Sequence, residues 1–215
     1  MIWRRLVRNT QDFIQKVKDP YPPSSRQLFR FKSPEDLAAW NIFTDQEFGG
    51  LSTASLSSSA AYPGTANFAG EYSTELGVDA GDRIRRSGFA GIRSQETGEH
   101  IDLEPFDHLV FRVRGDGRKY IANIRTENWI VGDRSHDIWQ AYLFARKGVW
   151  QDVRVPLDRF LLTWKGKLVE TEVEMARQRV LSLGISLAGG EDLQPHGPFC
   201  LGLENIHAER VGPLK

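Results

Sequence analysis

The sequence is poor in cysteine, in long apolar runs and in any excess of one charge. Because Cys200 is the only cysteine among 215 residues, an intramolecular disulfide and a zinc site built from several cysteines are excluded. No stretch reaches the roughly 18 consecutive apolar residues that a membrane-spanning helix requires. Basic and acidic residues both number 28, so broad electrostatic binding to nucleic acid is not expected. Any charged partner must therefore be bound by a local patch.

Motifs typical of enzymes and of metal sites are also missing. The chain has no Gly-x-Ser-x-Gly nucleophile elbow, no lysine-containing phosphate loop and no His-Glu-x-x-His zinc motif. Its histidines are scattered singly, and the acidic residues near turns lack the spacing of a calcium loop. We therefore expect no catalysis, no metal and no cofactor. Cys200 lies in the apolar run 198–203 and is predicted to be a buried, inert thiol.

Three successive segments alternate apolar and polar residues with a period of two. They cover 107–114, 118–126 and 138–145, and Gly115-Asp116-Gly117 has the composition of a tight hairpin turn between the first two. The pattern predicts three strands of one antiparallel sheet with a buried face.

Side-chain parity divides each of these strands into two rows. Because neighbouring side chains on a strand point to opposite faces, Leu109, Phe111 and Val113 are predicted to face the core. The opposite rows are rich in guanidinium and amide groups, and we expect them to share one sheet face that recognises a partner. A solvated outer face is the alternative, since antiparallel sheets commonly leave one face in water. The side chains expected on this face are Arg112, Arg114, Asn123, Arg125 and Gln140.

Further alternating segments and turn signals predict about ten strands and one short helix beginning after Ser33, which favours a β-sandwich. In the late segment 180–187 the predicted core row is Leu181, Leu183, Ile185 and Leu187. The small residues between them would border the charged ones and form a shallow groove with polar walls. The remaining strands are expected near 28–32, 51–57, 67–73, 87–94, 150–157 and 199–211.

The N-terminus has a different character. Residues 1–18 place apolar residues at helical spacing and carry five basic residues against one acidic residue, which predicts a basic amphipathic helix. Such a helix packs on the domain, contacts a membrane surface or a partner, or acts as a transit peptide. Proline residues between 20 and 23 predict a stiff linker. We assign 1–27 to this helix and linker, and 28–215 to the sandwich domain.

Other basic and aromatic side chains are candidates for partner contacts. Arg85, Arg86 and Arg93 belong to the densest basic cluster, for which a solvated strand edge is the alternative. Trp129 and Tyr142 are anchor candidates if they are exposed, because aromatic groups dominate interface energetics.

Five motifs follow one another in order between about residues 28 and 211. They are TDQEFGGLS at 44–52, RSGFAGIRS at 86–94, FRVRGDGR at 111–118, TENW at 126–129 and WQAYLFA at 139–145. Together they resemble the complex I intermediate-associated protein 30 family. The resemblance implies an all-β, galactose-binding-like jelly-roll β-sandwich with a short N-terminal helix.

The same resemblance implies a function without catalysis. It is that of an assembly factor, or chaperone, for mitochondrial complex I, which binds assembly intermediates and other assembly factors on the matrix side of the inner membrane. A carbohydrate-binding module is one alternative, because the sandwich can present arginine, amide and Tyr142 groups to sugar hydroxyls. A permanent structural subunit of a large membrane complex is another. The N-terminal residues show no secretory signal pattern, so an intracellular setting is expected and favours the assembly factor.

Overall fold

The computed structural model describes residues 23–77, 87–127, 137–164, 167–170, 173–189 and 194–212. Within these ranges the chain forms thirteen β-strands and one α-helix. The predicted helix at 1–18 lies outside the described residues, as do Arg85, Arg86 and Trp129. The elements in chain order are β1 Ser25–Arg30, α1 Pro34–Ala38, β2 Trp40–Thr44, β3 Thr53–Ser58, β4 Ala66–Tyr72, β5 Phe89–Ser94, β6 His108–Arg114, β7 Lys119–Thr126, β8 Asp137–Phe144, β9 Trp150–Pro156, β10 Leu161–Trp164, β11 Lys167–Leu168, β12 Val180–Ala188 and β13 Gly197–Glu209.

These strands form two antiparallel sheets. Sheet A has the order β3-β4-β13-β6-β9, and β1 also pairs with β13. Sheet B has the order β11-β10-β8-β7-β12-β5-β2. The 13-residue strand β13 is the centre of sheet A, since it pairs with β4 through its first half and with β1 and β6 through its second. The predicted all-β sandwich is confirmed.

The core lies between the two sheets and is built from the predicted apolar rows. Leu109, Phe111 and Val113 of sheet A are buried, as expected from their parity. Tyr120, Ala122 and Ile124 supply the matching row from β7 of sheet B.

The short helix α1 begins after Ser33, as predicted. The side chain of Ser33 caps the helix, and Asp36 completes a capping box with the backbone of Ser33.

The segment Gly115-Asp116-Gly117 is not a hairpin turn. β6 lies in sheet A between β13 and β9, whereas β7 lies in sheet B between β12 and β8. The prediction that Arg112 and Arg114 share one face with Asn123, Arg125 and Gln140 is therefore wrong. Each row does point away from the core, but the two rows occupy the two opposite outer faces of the sandwich.

Hydrogen bonds to Asp116 explain why the chain crosses between the sheets at this point. Its carboxylate accepts hydrogen bonds from the buried hydroxyl of Tyr120, at 2.9 Å, and from the backbone N–H of Cys200, at 2.8 Å. These bonds tie the start of β7 to β13 instead of folding β7 onto β6. Two glycines flanking an aspartate suit many turns, so their composition does not specify the partner of the following strand.

A β-bulge corrects the expected core row of β12. Val180 pairs with Thr126 and Ser182 pairs with Arg125, so Leu181 is the extra residue of the bulge. Val180 is buried in the core, whereas Leu181 is only half-buried. The predicted positions of Leu183, Ile185 and Leu187 are confirmed.

Cys200 is exposed, so the predicted buried thiol is wrong. It lies on the outer row of β13, between the buried Phe199 and Leu201. Partial burial and the carboxylate of Asp116 raise the pKa of this thiol.

Asp107 holds the chain immediately after β13. Its carboxylate accepts hydrogen bonds from the backbone N–H groups of Val211, at 3.0 Å, and Gly212, at 2.9 Å, and lies 2.5 Å from Nδ1 of His108. Partial burial alone would raise the pKa of Asp107. The hydrogen bonds from His108, Gly212 and Val211 together outweigh this effect and lower the pKa to about 2.

This depressed pKa predicts a loss of stability in acid. Because Asp107 ionises more readily in the folded chain, its stabilising contribution is complete above about pH 4 and disappears as the pH falls toward 2. The side chain is 39% exposed, so solvent screening reduces the expected contribution to about 1 kcal/mol. In urea unfolding, wild type should lose about 1 kcal/mol more than Asp107→Asn between pH 4 and pH 2. Equal pH dependence of the two proteins would contradict this role.

Candidate functional site

The outer face of sheet B carries two adjoining hollows. The first, which we call the arginine hollow, has a volume of about 300 Å³. The second, the apolar hollow, has a volume of about 350 Å³. Both are lined by Gln140, Thr163 and Ala188, so the two hollows adjoin across the strands, and we call them together the groove. Further lining of the arginine hollow includes Phe43, Phe48, Phe89, Arg93, Asn123, Arg125, Ser182, Gly184 and Ser186; that of the apolar hollow includes Ile121, Tyr142, Arg159, Leu161 and Leu168.

Small residues on β12 make the floor of the arginine hollow. Gly184 pairs with Arg93 of β5 on one side and with Asn123 of β7 on the other. Because Gly184 has no side chain, the space between these two longer side chains stays open. The predicted groove of small and charged residues is thus confirmed for sheet B.

Amide side chains form a hydrogen-bonded row across three strands. Nε2 of Gln140 donates to Oδ1 of Asn123 at 2.7 Å, and Nδ2 of Asn123 donates to Oγ of Ser186 at 2.9 Å. Gln140 and Asn123 stand directly opposite each other on β8 and β7, which is the position where cross-strand pairs interact most closely. The row fixes the middle of the groove.

Two arginines give the hollow its positive charge. One nitrogen of the Arg125 guanidinium, Nη1, donates to Glu96 at 3.1 Å, and the side chain of Arg125 is only 21% exposed. Partial burial and the nearby charge of Arg93 lower the pKa of Arg125, while Glu96 opposes them. Arg93 has no ion-pair partner among the described residues.

Phenylalanine rings, which were not among the side chains predicted for this face, line the hollow. The rings of Phe43 and Phe89 lie 6.5 Å apart, and those of Phe48 and Phe89 lie 6.0 Å apart. Phe43 packs over Gly91, where an added Cβ would come within 2.3 Å of the ring. The alternation in β5 contains the signal for Phe89, because it has the same parity as Arg93 and the opposite parity to the buried Ile92.

The apolar hollow exposes large side chains to solvent. Tyr142 is 52% exposed, Leu161 is 54% exposed and Leu168 is 59% exposed. The ring of Tyr142 also lies 5.6 Å from that of Phe144, which is exposed as well. Exposed aromatic and aliphatic groups that adjoin one another mark interaction surfaces more often than isolated ones do. Tyr142 therefore meets the condition that we set for an anchor.

The two other arginines of the predicted site lie on the outer face of sheet A and already have partners. Arg112 contacts Asp152 at 3.5 Å and Glu204 at 3.4 Å. Arg114 lies over the ring of Tyr62, 5.0 Å from its centroid. The structure thus brings Arg93, Asn123, Arg125, Gln140 and Tyr142 together on sheet B and separates Arg112 and Arg114 from them.

Metal ligands do not cluster in the part of the chain that the structure describes, where no three His, Cys, Asp or Glu side chains could hold one ion. In the same part, no helix has the length and apolar character needed to cross a membrane. His100 contacts Glu127 and His108 contacts Asp107, and neither histidine contacts a serine hydroxyl within the described ranges.

The family pattern described as complex I intermediate-associated protein 30 matches residues 29–203. The chain belongs to this family. A relative named complex I intermediate-associated protein 30, mitochondrial, from Drosophila melanogaster is 31% identical, and the match covers 97% of this chain and 70% of the relative. A protein of the same name from Neurospora crassa is 32% identical, with 85% and 73% covered. That from Mus musculus is 30% identical, with 85% and 55% covered.

Solved structures with a similar fold include carbohydrate-binding modules. One is a family 11 module from Clostridium thermocellum in complex with a β-1,3-1,4-mixed-linked tetrasaccharide, with a TM-score of 0.61, 12% identity, and 86% of this chain and 95% of that chain covered. Another is the family 11 module of the cellulosomal cellulase Lic26A-Cel5E, with a TM-score of 0.62, 12% identity, and 90% and 98% covered. At this identity the likeness shows a shared sandwich fold and nothing about the ligand.

Proposed function

We propose that this protein is a non-enzymatic assembly factor for mitochondrial complex I, NADH:ubiquinone oxidoreductase, and that it binds assembly intermediates through the outer face of sheet B. The observation that carries the proposal is the groove of two adjoining hollows, in which exposed Tyr142, Leu161 and Leu168 lie beside a polar hollow. A surface with exposed apolar anchors beside polar groups suits a protein partner. Membership of the family, whose relatives carry complex I in their names, supports the choice of partner.

The place of action is part of the same proposal. The relatives are named mitochondrial, which supports the matrix side of the inner membrane as the compartment. We include other assembly factors among the partners. We also include a peripheral contact of residues 1–18 with anionic lipid, because five basic residues and one acidic residue in that segment favour such a surface. Flotation with anionic liposomes should be lost when the chain begins at Ser24.

Sugar binding is the second candidate, because an open groove with amide and tyrosine groups on a carbohydrate-module fold is suited to sugar hydroxyls. Two features favour protein instead. Asn123 and Gln140 already bond to each other, and the leucine side chains of the apolar hollow have no hydrogen bond to offer a sugar.

The decisive experiment is to follow where the tagged protein migrates when mitochondrial membrane complexes are separated on native gels. We expect it with partial assemblies of complex I and not with the mature complex. Co-migration with the mature complex would instead identify a permanent subunit. Calorimetric titration with the mixed-linked tetrasaccharide should show no binding, and saturable binding there would favour the carbohydrate module.

A further inference from the structure

We infer that the arginine hollow binds a carboxylate group of a partner polypeptide, with an apolar side chain of the same segment seated in the apolar hollow. The carboxylate is that of an aspartate, a glutamate or a chain end. The identity of the partner rests on the proposed function. The carboxylate is the chemical group by which the hollow recognises that partner.

Two hydrogen-bonding groups at the base of the hollow lack partners. Nε of Arg125 and Oγ of Ser182 are both buried, and neither bonds to any of the described residues. Ser182 is only 1% exposed, and it stands directly opposite Arg125 in the pairing of β12 with β7. Buried donors without acceptors are rare in native proteins because each one costs free energy. Both residues line the hollow, so an oxygen ligand that displaces the side chains covering these two atoms would satisfy both groups.

The charge in the hollow suits a single negative charge. Arg93 and Arg125 line it, and Glu96 neutralises one of them through its contact with Nη1 of Arg125. One positive charge therefore remains to be balanced among these three groups. A carboxylate balances it, whereas a phosphate dianion would leave an excess of negative charge in a partly buried site. The planar guanidinium fork also matches the geometry of a carboxylate.

The position of the apolar hollow sets the spacing of the ligand. Arg125 lies on β7 and Leu161 on β10, two strands away in the order of sheet B. Neighbouring strands are about 4.8 Å apart, and the register places Leu161 level with Asn123, two residues along β7 from Arg125. A ligand must therefore span about 12 Å between its two contacts, which is roughly three to four residues of extended chain. A partner segment with an acidic residue about three positions from an apolar one fits this groove.

The test uses two short peptides that differ in one charge, acetyl-Asp-Ala-Ala-Leu-amide and acetyl-Asn-Ala-Ala-Leu-amide. Each is titrated into the full ¹⁵N-labelled chain, and backbone amide shifts are followed by NMR. We expect saturable shifts at Ser182, Arg125 and Gln140 with the aspartyl peptide, and binding about tenfold weaker with the asparaginyl peptide. Equal binding of the two peptides, or no saturable shift with either, would overturn the carboxylate site.

Variants separate the hollow from general charge effects. Arg125→Gln should weaken binding of the aspartyl peptide about tenfold, and Ser182→Ala, which removes only a hydroxyl, should weaken it severalfold. The matched control is Arg112→Gln on the outer face of sheet A, which should bind as wild type does. An equal loss in Arg112→Gln, or tighter binding of inorganic phosphate than of acetate, would count against the assignment.

The peptide titration tests the arginine hollow, and the native gel tests the proposed function, so the two can fail independently. If the peptides do not bind but the protein migrates with partial assemblies of complex I, the carboxylate site is wrong and the assembly role stands. If the aspartyl peptide binds as expected but the protein is absent from those assemblies, the site stands and the assembly role is wrong.

Discussion

Asp45→Ala is expected to lower the free energy of unfolding by about 3–4 kcal/mol and the melting temperature by about 6–16 °C. Asp45 is fully buried. Its carboxylate accepts hydrogen bonds from the backbone N–H of Ser52 at 2.9 Å, the hydroxyl of Ser52 at 2.8 Å, the N–H of Gly88 at 2.6 Å and the N–H of Phe89 at 3.3 Å. Alanine would remove this acceptor from all four donors, and of these the Ser52 hydroxyl and the Gly88 N–H would keep the carbonyl of Ser73 as an acceptor.

These bonds join segments that are distant in the sequence. Asp45 follows β2, Ser52 precedes β3, and Gly88 leads into β5, whose first residue Phe89 lines the arginine hollow. The carboxylate thus fixes one wall of the groove from behind. Asp45→Ala should therefore disturb the backbone amide signals of Phe89 as well as the stability of the whole domain.

Asp45→Asn and Asp158→Asn complete the experiment. Asparagine keeps the shape of the side chain but places an amide donor among the four existing donors, so we expect a smaller loss of about 2 kcal/mol. Asp158 is exposed, and its substitution should change stability by less than about 0.5 kcal/mol. Thermal and urea unfolding followed by circular dichroism measure all three variants. A loss below about 1 kcal/mol for Asp45→Ala would contradict the proposed anchoring role.

The double variant Tyr142→Asp with Leu161→Asp is expected to abolish the rescue of complex I assembly. Both side chains are about half exposed and face the apolar hollow. Two carboxylates placed in an apolar contact would weaken binding of a partner by about 4 kcal/mol, or roughly a thousandfold. The amount of mature complex I, measured on native gels in cells that lack the endogenous protein, reports the effect.

A control variant shows whether the loss of complex I assembly depends on the outer face of sheet B or on an added surface charge at any position. Val149→Asp introduces one carboxylate at an exposed valine that lines neither hollow, and it should restore assembly as wild type does. Because the substituted side chains are exposed, the purified variants should unfold within about 1 kcal/mol of wild type. Full rescue by the stable double variant would show that sheet B does not contact the partner.

The faces of individual strands could be predicted because parity is a local property of the chain. The buried positions of Phe111 and Val113 and the outward positions of Asn123 and Gln140 follow from alternation alone. The pairing of strands depends on residues far apart in the sequence. The interactions that place β6 and β7 in different sheets involve Cys200, which no pattern around residue 116 reveals.

The residues that line the groove were predictable only in part, because the pairing of strands depends on residues that are far apart in the sequence. β10 and β11 are short and follow a 3₁₀ turn, so their alternation is too brief to indicate a strand, and the apolar hollow that they complete was not predicted. β2 follows directly after α1 and buries only Trp40 fully, so the strand shows no clear alternation of buried and exposed residues. The position of Phe43 in the wall of the arginine hollow was therefore not predicted either.

The central place of β13 in sheet A imposes an order on folding. Ser25 at the start of the first described strand pairs with Glu209 at the end of the last one, so this contact closes a loop containing most of the chain. Closing so long a loop costs conformational entropy before any contact repays it, and folds with such distant contacts form slowly. A nascent chain cannot join β4 to β6 until β13 has been synthesised. Until then the apolar row of sheet B has no complete partner sheet, and the exposed apolar surface makes the unfinished chain prone to aggregation.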